Sequence, residues 1–285
     1  MSRLGFAIAI VALSIASAAC DAKVVTRTVK YEHEGAALEG YLAYDDARSG
    51  PRPGVLVVHE WWGLNDYTKS RARELAAMGY VAFAADMFGA GKVTRDPKQA
   101  QAWYGEATGK PGLLASRSKA GLDVLRGQPQ VDKAHVAAIG FCFGGTTVLS
   151  LAYSGEPLDA TVTFHGGLIA PDTEQAKRIR TTLLVLHGAE DTFVDPKDVD
   201  DLRKSLDAAK VDWYMVTYAN AVHAFSNRDA DSYKVPGIAY NEAAARRSWI
   251  EMQRLFQEKL ARKSSRTTVG GDRAVTAAAS SLDSR

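Results

Sequence analysis

A chain of 285 residues, 46% of them hydrophobic, can bury a sizeable core and fits a single domain of ordinary α/β size. Its 35 basic and 33 acidic side chains leave a formal charge of +2, too balanced to create a broad field for nucleic acid or an anionic membrane. Charge therefore names no macromolecular partner.

Taken in chain order, the first twenty residues differ in kind from the rest. Arg3 precedes the apolar run 4–15, which gives way to Ala16-Ser17-Ala18-Ala19-Cys20. That order is the order of a secretory signal peptide, and the run is shorter than the roughly 20 apolar residues a membrane span needs. Residues 1–20 are expected to direct export to the periplasm or the medium, leaving a mature form without an integral span. Cleavage fits after Ala18 or Ala19. Cys20 also fits a lipoprotein signal, in which a diacylglyceryl thioether tethers the protein, although Ser17 stands where such signals usually carry Leu, Val or Ile. Once Cys20 is removed or lipidated, Cys142 is the one free thiol left, an unusual residue to keep in an oxidising compartment.

Residues 21–262 alternate short β-branched or apolar runs with helical stretches, the pattern of a mostly parallel sheet covered by helices on both faces. Strands are predicted over 24–29, 38–44, 55–59, 81–85, 136–140, 160–164, 183–187 and 213–218. Helices are predicted over 68–78, 97–108, 116–126, 144–153, 196–209 and 242–260. Glu34-Gly35-Ala36 joins the first two strands as an antiparallel hairpin, whereas the later strands are separated by helices that allow parallel crossovers. No internal repeat or composition shift marks a second domain. The segment 263–285, rich in Ser, Thr, Ala and Gly without apolar periodicity, reads as a disordered tail.

In such a sheet, ligands bind beyond the carboxyl ends of the strands, so polar residues just after strands are the candidates for chemistry. Gly140-Phe141-Cys142-Phe143-Gly144-Gly145 places Gly-x-Cys-x-Gly between an apolar strand and a helix. This is a nucleophile elbow: a sharp turn lifts one side chain above the sheet, glycines let the backbone approach closely, and the helix start favours thiolate over thiol. A cysteine there can also be a small buried hydrophobe. Its partners separate the two readings. Asp191 follows one strand through Gly188-Ala189-Glu190, and His223 follows the next through Ala219-Asn220-Ala221-Val222, giving nucleophile, acid and histidine in the order this fold uses. His59 and His187 also end strands, His165 precedes Gly166-Gly167, and His33 and His135 sit in exposed loops. None shows metal-ligand spacing, and neither a dinucleotide fingerprint nor a P-loop is present, so no metal or cofactor is expected.

Five stretches together resemble the dienelactone hydrolase family of α/β-hydrolases over most of residues 24–260. They are His59-Glu60-Trp61-Trp62-Gly63-Leu64-Asn65-Asp66, Ala85-Asp86-Met87-Phe88-Gly89, the Cys142 elbow, His187-Gly188-Ala189-Glu190-Asp191 and His223-Ala224-Phe225. The resemblance implies Cys142 as nucleophile, His223 as general acid and base, Asp191 as the group orienting His223, and Glu60 as a carboxyl beside the thiol that manages its proton. Backbone N–H groups of Phe143 and Trp61 are the expected oxyanion hole. Trp61, Trp62 and Phe88 either wall an apolar substrate pocket or belong to the core. The family holds a substrate carboxylate with two arginines. The nearest cations here are Lys92, a point charge where a bidentate fork is expected, and Arg228, one position late.

The reading that follows is a carboxylic-ester or lactone hydrolase working through an acyl-thioester, acting alone as a monomer on a small molecule. A broader carboxylesterase or thioesterase is the alternative within enzymes. A non-catalytic exported binding protein is the alternative outside them, since fold alone never establishes function. A thiol-redox role lacks both a Cys-x-x-Cys pair and a second mature cysteine.

Overall fold

The computed structural model describes residues 22–260, so the expected signal segment 1–20 and the expected disordered tail 263–285 lie outside the described residues. β1 (Val24–His33) and β2 (Ala36–Asp45) form the expected antiparallel hairpin. Its two turn residues, Glu34 and Gly35, both have positive φ (49° and 74°), the backbone that matches the twist of paired strands. β3 (Arg52–Val58), β4 (Val81–Ala85), β5 (Val131–Phe141), β6 (Ala160–Phe164), β7 (Thr182–Gly188) and β8 (Trp213–Tyr218) run parallel to one another, and β2 joins this set antiparallel to β4. The order across the eight-stranded sheet is β1-β2-β4-β3-β5-β6-β7-β8.

That order positions the site. The chain leaves β3 toward β4 on one side, then returns across β3 to β5 on the other. Connections above β3 and β5 therefore diverge, and a crevice opens at this switch point. His59, Glu60 and Trp61 follow β3; the residue just after β5 is Cys142.

Among the described residues, seven α-helices flank the sheet: α1 (Asp66–Ala77), α2 (Pro97–Thr108), α3 (Leu113–Arg126), α4 (Phe143–Tyr153), α5 (Thr173–Arg178), α6 (Pro196–Ala208) and α7 (Glu242–Lys259). Side chains alternate across the strands, so Val55 and Val57 join the core under α1 and α7 while Leu56 and Val58 join the core under α3 and α4. Each fully buried Leu, Val or Phe in these layers contributes roughly 1.5–3 kcal/mol of apolar transfer energy. None of the described helices is long and apolar enough to cross a membrane.

Two short elements were not expected from the sequence. α5 has six residues, too few to show a helical period, yet its start carries a reciprocal capping box between Asp172 and Gln175. A single 3₁₀ turn, Ala230–Tyr233, lies in the long connection after His223.

Candidate active site

Cys142 caps the amino end of α4 with φ 53° and ψ −117°, a left-handed backbone that few non-glycine residues adopt. Close packing holds this strained turn in place. A Cβ on Gly140 would lie 1.9 Å from the Gly144 carbonyl oxygen, and one on Gly144 would lie 2.2 Å from the Val58 carbonyl oxygen. A Cβ on Gly145 would meet Thr163 Oγ1 at 2.3 Å. The glycines of the elbow are thus fixed by contact with β3, β6 and the turn itself. Phe143 is the first residue of α4, where helix N–H groups lack intrahelical partners. Among the described residues, no protein group accepts from the N–H of Phe143 or of Trp61.

His223 and Asp191 meet as a buried pair, with His223 Nδ1 donating to Asp191 Oδ2 at 2.8 Å. Asp191 Oδ1 accepts from the Phe193 N–H at 2.9 Å, which orients the carboxylate. The Cys142 thiol is within hydrogen-bonding range of the same ring. Burial alone would push His223 toward neutrality; the sulfur's negative charge and the hydrogen bonds to Asp191 and Cys142 outweigh it and raise the pKa. The ring is therefore held toward its charged form.

Glu60 is 1% exposed, and its Oε2 accepts from Asn227 Nδ2 at 2.7 Å. Asn227 Oδ1 accepts from the Asp229 N–H at 2.9 Å, so the amide cannot flip and must present its NH2 to Glu60. Glu60 Oε1 is buried without a partner. Burial raises the Glu60 pKa to about 7, while the Asn227 hydrogen bond and the charges of His223 and Arg71 act in the opposite direction. A raised folded-state pKa contributes stability that is complete below the ordinary value of 4.5 and is lost as pH climbs through about 7. Glu60→Gln cannot ionise. Relative to the native chain it is expected to gain about 3 kcal/mol between pH 4 and pH 8, read from urea unfolding at both values. A constant difference between the two proteins would show that Glu60 titrates normally.

His59 serves structure. Its Nε2 accepts from the Met87 N–H at 3.1 Å, so the proton is on Nδ1, which donates to the Glu60 carbonyl at 2.6 Å. This fully buried ring pins the loop that carries Glu60 and Trp61.

His165 was passed over in the sequence, and the structure brings it against the nucleophile. Its Nδ1 accepts from the Cys142 N–H at 3.2 Å, which places the ring proton on Nε2; that nitrogen donates to Ser226 Oγ at 2.7 Å. Ser226 Oγ in turn meets the Tyr67 hydroxyl at 2.8 Å. Burial and the charge of His223 keep His165 neutral, its pKa far below the usual value. One imidazole beside the thiol is thus held charged and the other uncharged.

Cys142 opens into a cavity of about 220 Å³ lined by Trp61, Tyr104, Phe143, Phe193 and Ile238, with Gln101 and Thr146 as polar members. Among the described residues, no lysine or arginine lines it. Of the residues expected to bind substrate, Trp61 is present and four are not. Trp62 is 1% exposed and stacks on Tyr233 at 4.0 Å, inside the core. Phe88 packs against His59 and Phe143 beneath the site. Lys92 lies over Trp103 on the outside, and Arg228 is exposed beyond the cavity. The position one before Arg228 is Asn227, which faces Glu60 instead. A strand-end rule applied to every histidine would have found His165. Asn227 and Phe193 carried no comparable signal.

The model of the dienelactone hydrolase family matches residues 38–260. Protein usf of Aquifex pyrophilus is 29% identical over 239 residues, covering 81% of this chain and 98% of that protein. The crystal structure of a dienelactone hydrolase-like promiscuous phosphotriesterase from metagenomic libraries is 42% identical with a TM-score of 0.81, covering 84% of this chain and 99% of that one. A dienelactone hydrolase from Anabaena variabilis shares the fold at 17% identity and a TM-score of 0.58, covering 84% of this chain and 99% of that one. With the family model spanning both Cys142 and His223, the chain belongs to the dienelactone hydrolase family of α/β-hydrolases, and it is a hydrolase of ester bonds.

Proposed function

We propose that the chain hydrolyses carboxylic esters and lactones through a Cys142-His223-Asp191 triad and an acyl-thioester on Cys142. The observation that carries this reading is the buried His223, clamped by Asp191 at 2.8 Å on one side and facing the thiol at the cavity floor on the other. The Cys142 thiolate attacks the carbonyl, and the N–H groups of Phe143 and Trp61 receive the oxyanion. Collapse breaks the carbon–oxygen bond, and the departing alkoxide takes the proton from the His223 imidazolium. Neutral His223 then accepts a proton from water, whose oxygen attacks the thioester; the acid leaves and the thiolate and imidazolium are restored. Glu60, buried and near neutral pH in its titration, holds the thiol proton in exchange with the sulfur and limits how long a bare thiolate is exposed to oxidants.

The apolar walls and the absence of lysine and arginine from the cavity favour a small neutral acyl or ring group next to the scissile bond, rather than a carboxylate there. Acid-quenching the enzyme during turnover of a slow p-nitrophenyl ester is expected to show a mass increase equal to the acyl group, mapped to the Cys142 peptide. Turnover without any adduct would point to direct attack by water and overturn the thioester.

A second reading has its own support in the 42% identity to a promiscuous phosphotriesterase. The same thiolate and N–H donors suit attack on an uncharged phosphotriester, with a phosphorylated cysteine in place of the thioester. Paraoxon hydrolysis that disappears with Cys142 would establish it. The reading further holds that the enzyme works outside the cytoplasm, supported by Arg3 and the apolar run behind it. Intact mass of the exported protein, with cleavage before or at Cys20 or a diacylglyceryl adduct on Cys20, distinguishes a soluble from a lipid-anchored form; recovery of the full-length chain from the cytoplasm alone would refute export.

A further inference from the structure

The cavity at Cys142 shares part of its wall with a second hollow. Thr146 and Gly167, joined by a hydrogen bond from the Thr146 hydroxyl to the Gly167 carbonyl at 3.1 Å, line it and also line a second hollow of about 360 Å³. The two spaces share this saddle. Thr146, Ser150 and Tyr153 of α4 form the floor beyond it, spaced three or four residues apart and so facing one way. From Thr146 to Tyr153 the floor runs about 10 Å at the helical rise per residue. The α2–α3 connection forms one wall, and the segment running from Gly167 into α5 forms the other.

Two observations point to a ligand. Ile169 is 64% exposed on the rim of the second hollow, and Phe193 is 49% exposed on the rim of the first. Large apolar side chains held in water along one cleft mark a binding surface. The second observation is charge. Lys110 and Arg178 stand on the opposing walls and no aspartate or glutamate lines the hollow. Arg178 donates from Nε to the Tyr153 carbonyl at 3.4 Å, and neither cation is ion-paired among the described residues.

We propose that this hollow is a distal substrate subsite, which takes the far end of an elongated ester whose apolar stem crosses the Thr146–Gly167 saddle and whose terminal carboxylate lies between Lys110 and Arg178. It rests on the reading of Cys142 as nucleophile for the fate of the near end, but binding at the far end is independent of that chemistry. The subsite is separate from Lys92 and Arg228, and it reconciles a neutral environment around the scissile bond with an anionic substrate overall.

The test compares p-nitrophenyl hydrogen suberate, its methyl ester and p-nitrophenyl acetate on the native enzyme and on the double variant Lys110→Glu/Arg178→Glu. Both positions are exposed, so the variant is expected to fold. At low salt the native enzyme is expected to favour the free carboxylate over its methyl ester roughly tenfold in kcat/KM, through KM, the size that two partly exposed charge pairs supply. Charge reversal is expected to abolish or invert that preference and to leave the acetate rate within about twofold, since acetate does not reach the hollow. Equal rates for the two suberates, or a preference that survives reversal, would overturn the subsite. Equilibrium dialysis of the hydrogen suberate ester against Cys142→Ala, with and without the charge reversal, reads the subsite without turnover. Binding that depends on the two cations in a chain whose native form hydrolyses no ester would refute the hydrolase reading and leave the subsite standing.

Discussion

Replacing Cys142 with alanine is expected to lower kcat by about 10⁴- to 10⁶-fold, because the covalent route is lost and only oxyanion binding and substrate placement remain. The loss is expected in kcat rather than KM, since the thiolate acts on the transition state and contributes little to holding the ester. His223→Ala should fall to the same floor, and the double variant should fall no further, as expected of groups that act as one unit. Asp191→Asn should retain somewhat more activity, with a loss on the order of 10⁴, because its effect is to disturb the ring's orientation and tautomer at the 2.8 Å contact. Alanine accepts the positive φ of position 142 about as poorly as cysteine does, so the backbone strain of the turn should be unchanged. Initial rates on p-nitrophenyl acetate, corrected for spontaneous hydrolysis, decide the matter. Equal turnover by the native chain and Cys142→Ala would sink the triad.

The second large effect is structural. Gly144→Ala is expected to destabilise the fold by about 3 kcal/mol or more, because its Cβ would lie 2.2 Å from the Val58 carbonyl oxygen and 2.7 Å from that of His59. Both obstacles are backbone, at the end of β3 and in the loop leading to Glu60, so relief requires moving α4 away from the sheet. Gly105→Ala is the matched control. Gly105 lies within α2, is exposed, and has nothing within 4 Å of the place a Cβ would occupy, so alanine there should add about 0.5–1 kcal/mol of stability by helix propensity. Urea denaturation of the two variants reads both signs. A Gly144→Ala protein as stable as the native chain would mean that the elbow yields readily and does not clamp Cys142.

Sheet and site were legible to different depths, for physical reasons. All eight strands could be read because each is a run of β-branched or apolar residues bounded by turns, and the sheet's switch point then determined which strand ends face one another. The positions of the proposed triad stood out in the sequence because each follows a strand by a few residues. α5 escaped because six residues do not display a helical period, although Asp172 and Gln175 advertised its start. The cavity walls escaped for a deeper reason. Phe193, Tyr104 and Ile238 come from three separate connections, and nothing in a linear pattern says which connections fold over the same strand end. Trp62 and Phe88, aromatic residues shortly after β3 and β4, could be read as wall or as core. Adjacent residues in an extended loop point to opposite sides, and these two point inward.

The scattering of the site over four strand ends has a consequence for the newly made chain. Glu60 and Trp61 come early, Cys142 next, and His223 arrives after a further eighty-one positions, on the connection that follows the edge strand β8. Parallel pairings of this kind close late, since distant segments must meet before any contact rewards them. Until β8 docks beside β7, His223 and Ile238 are missing from the walls around the sulfur. Ester cleavage by this protein is therefore a readout of a completed sheet, and its recovery during refolding should trail the return of secondary structure.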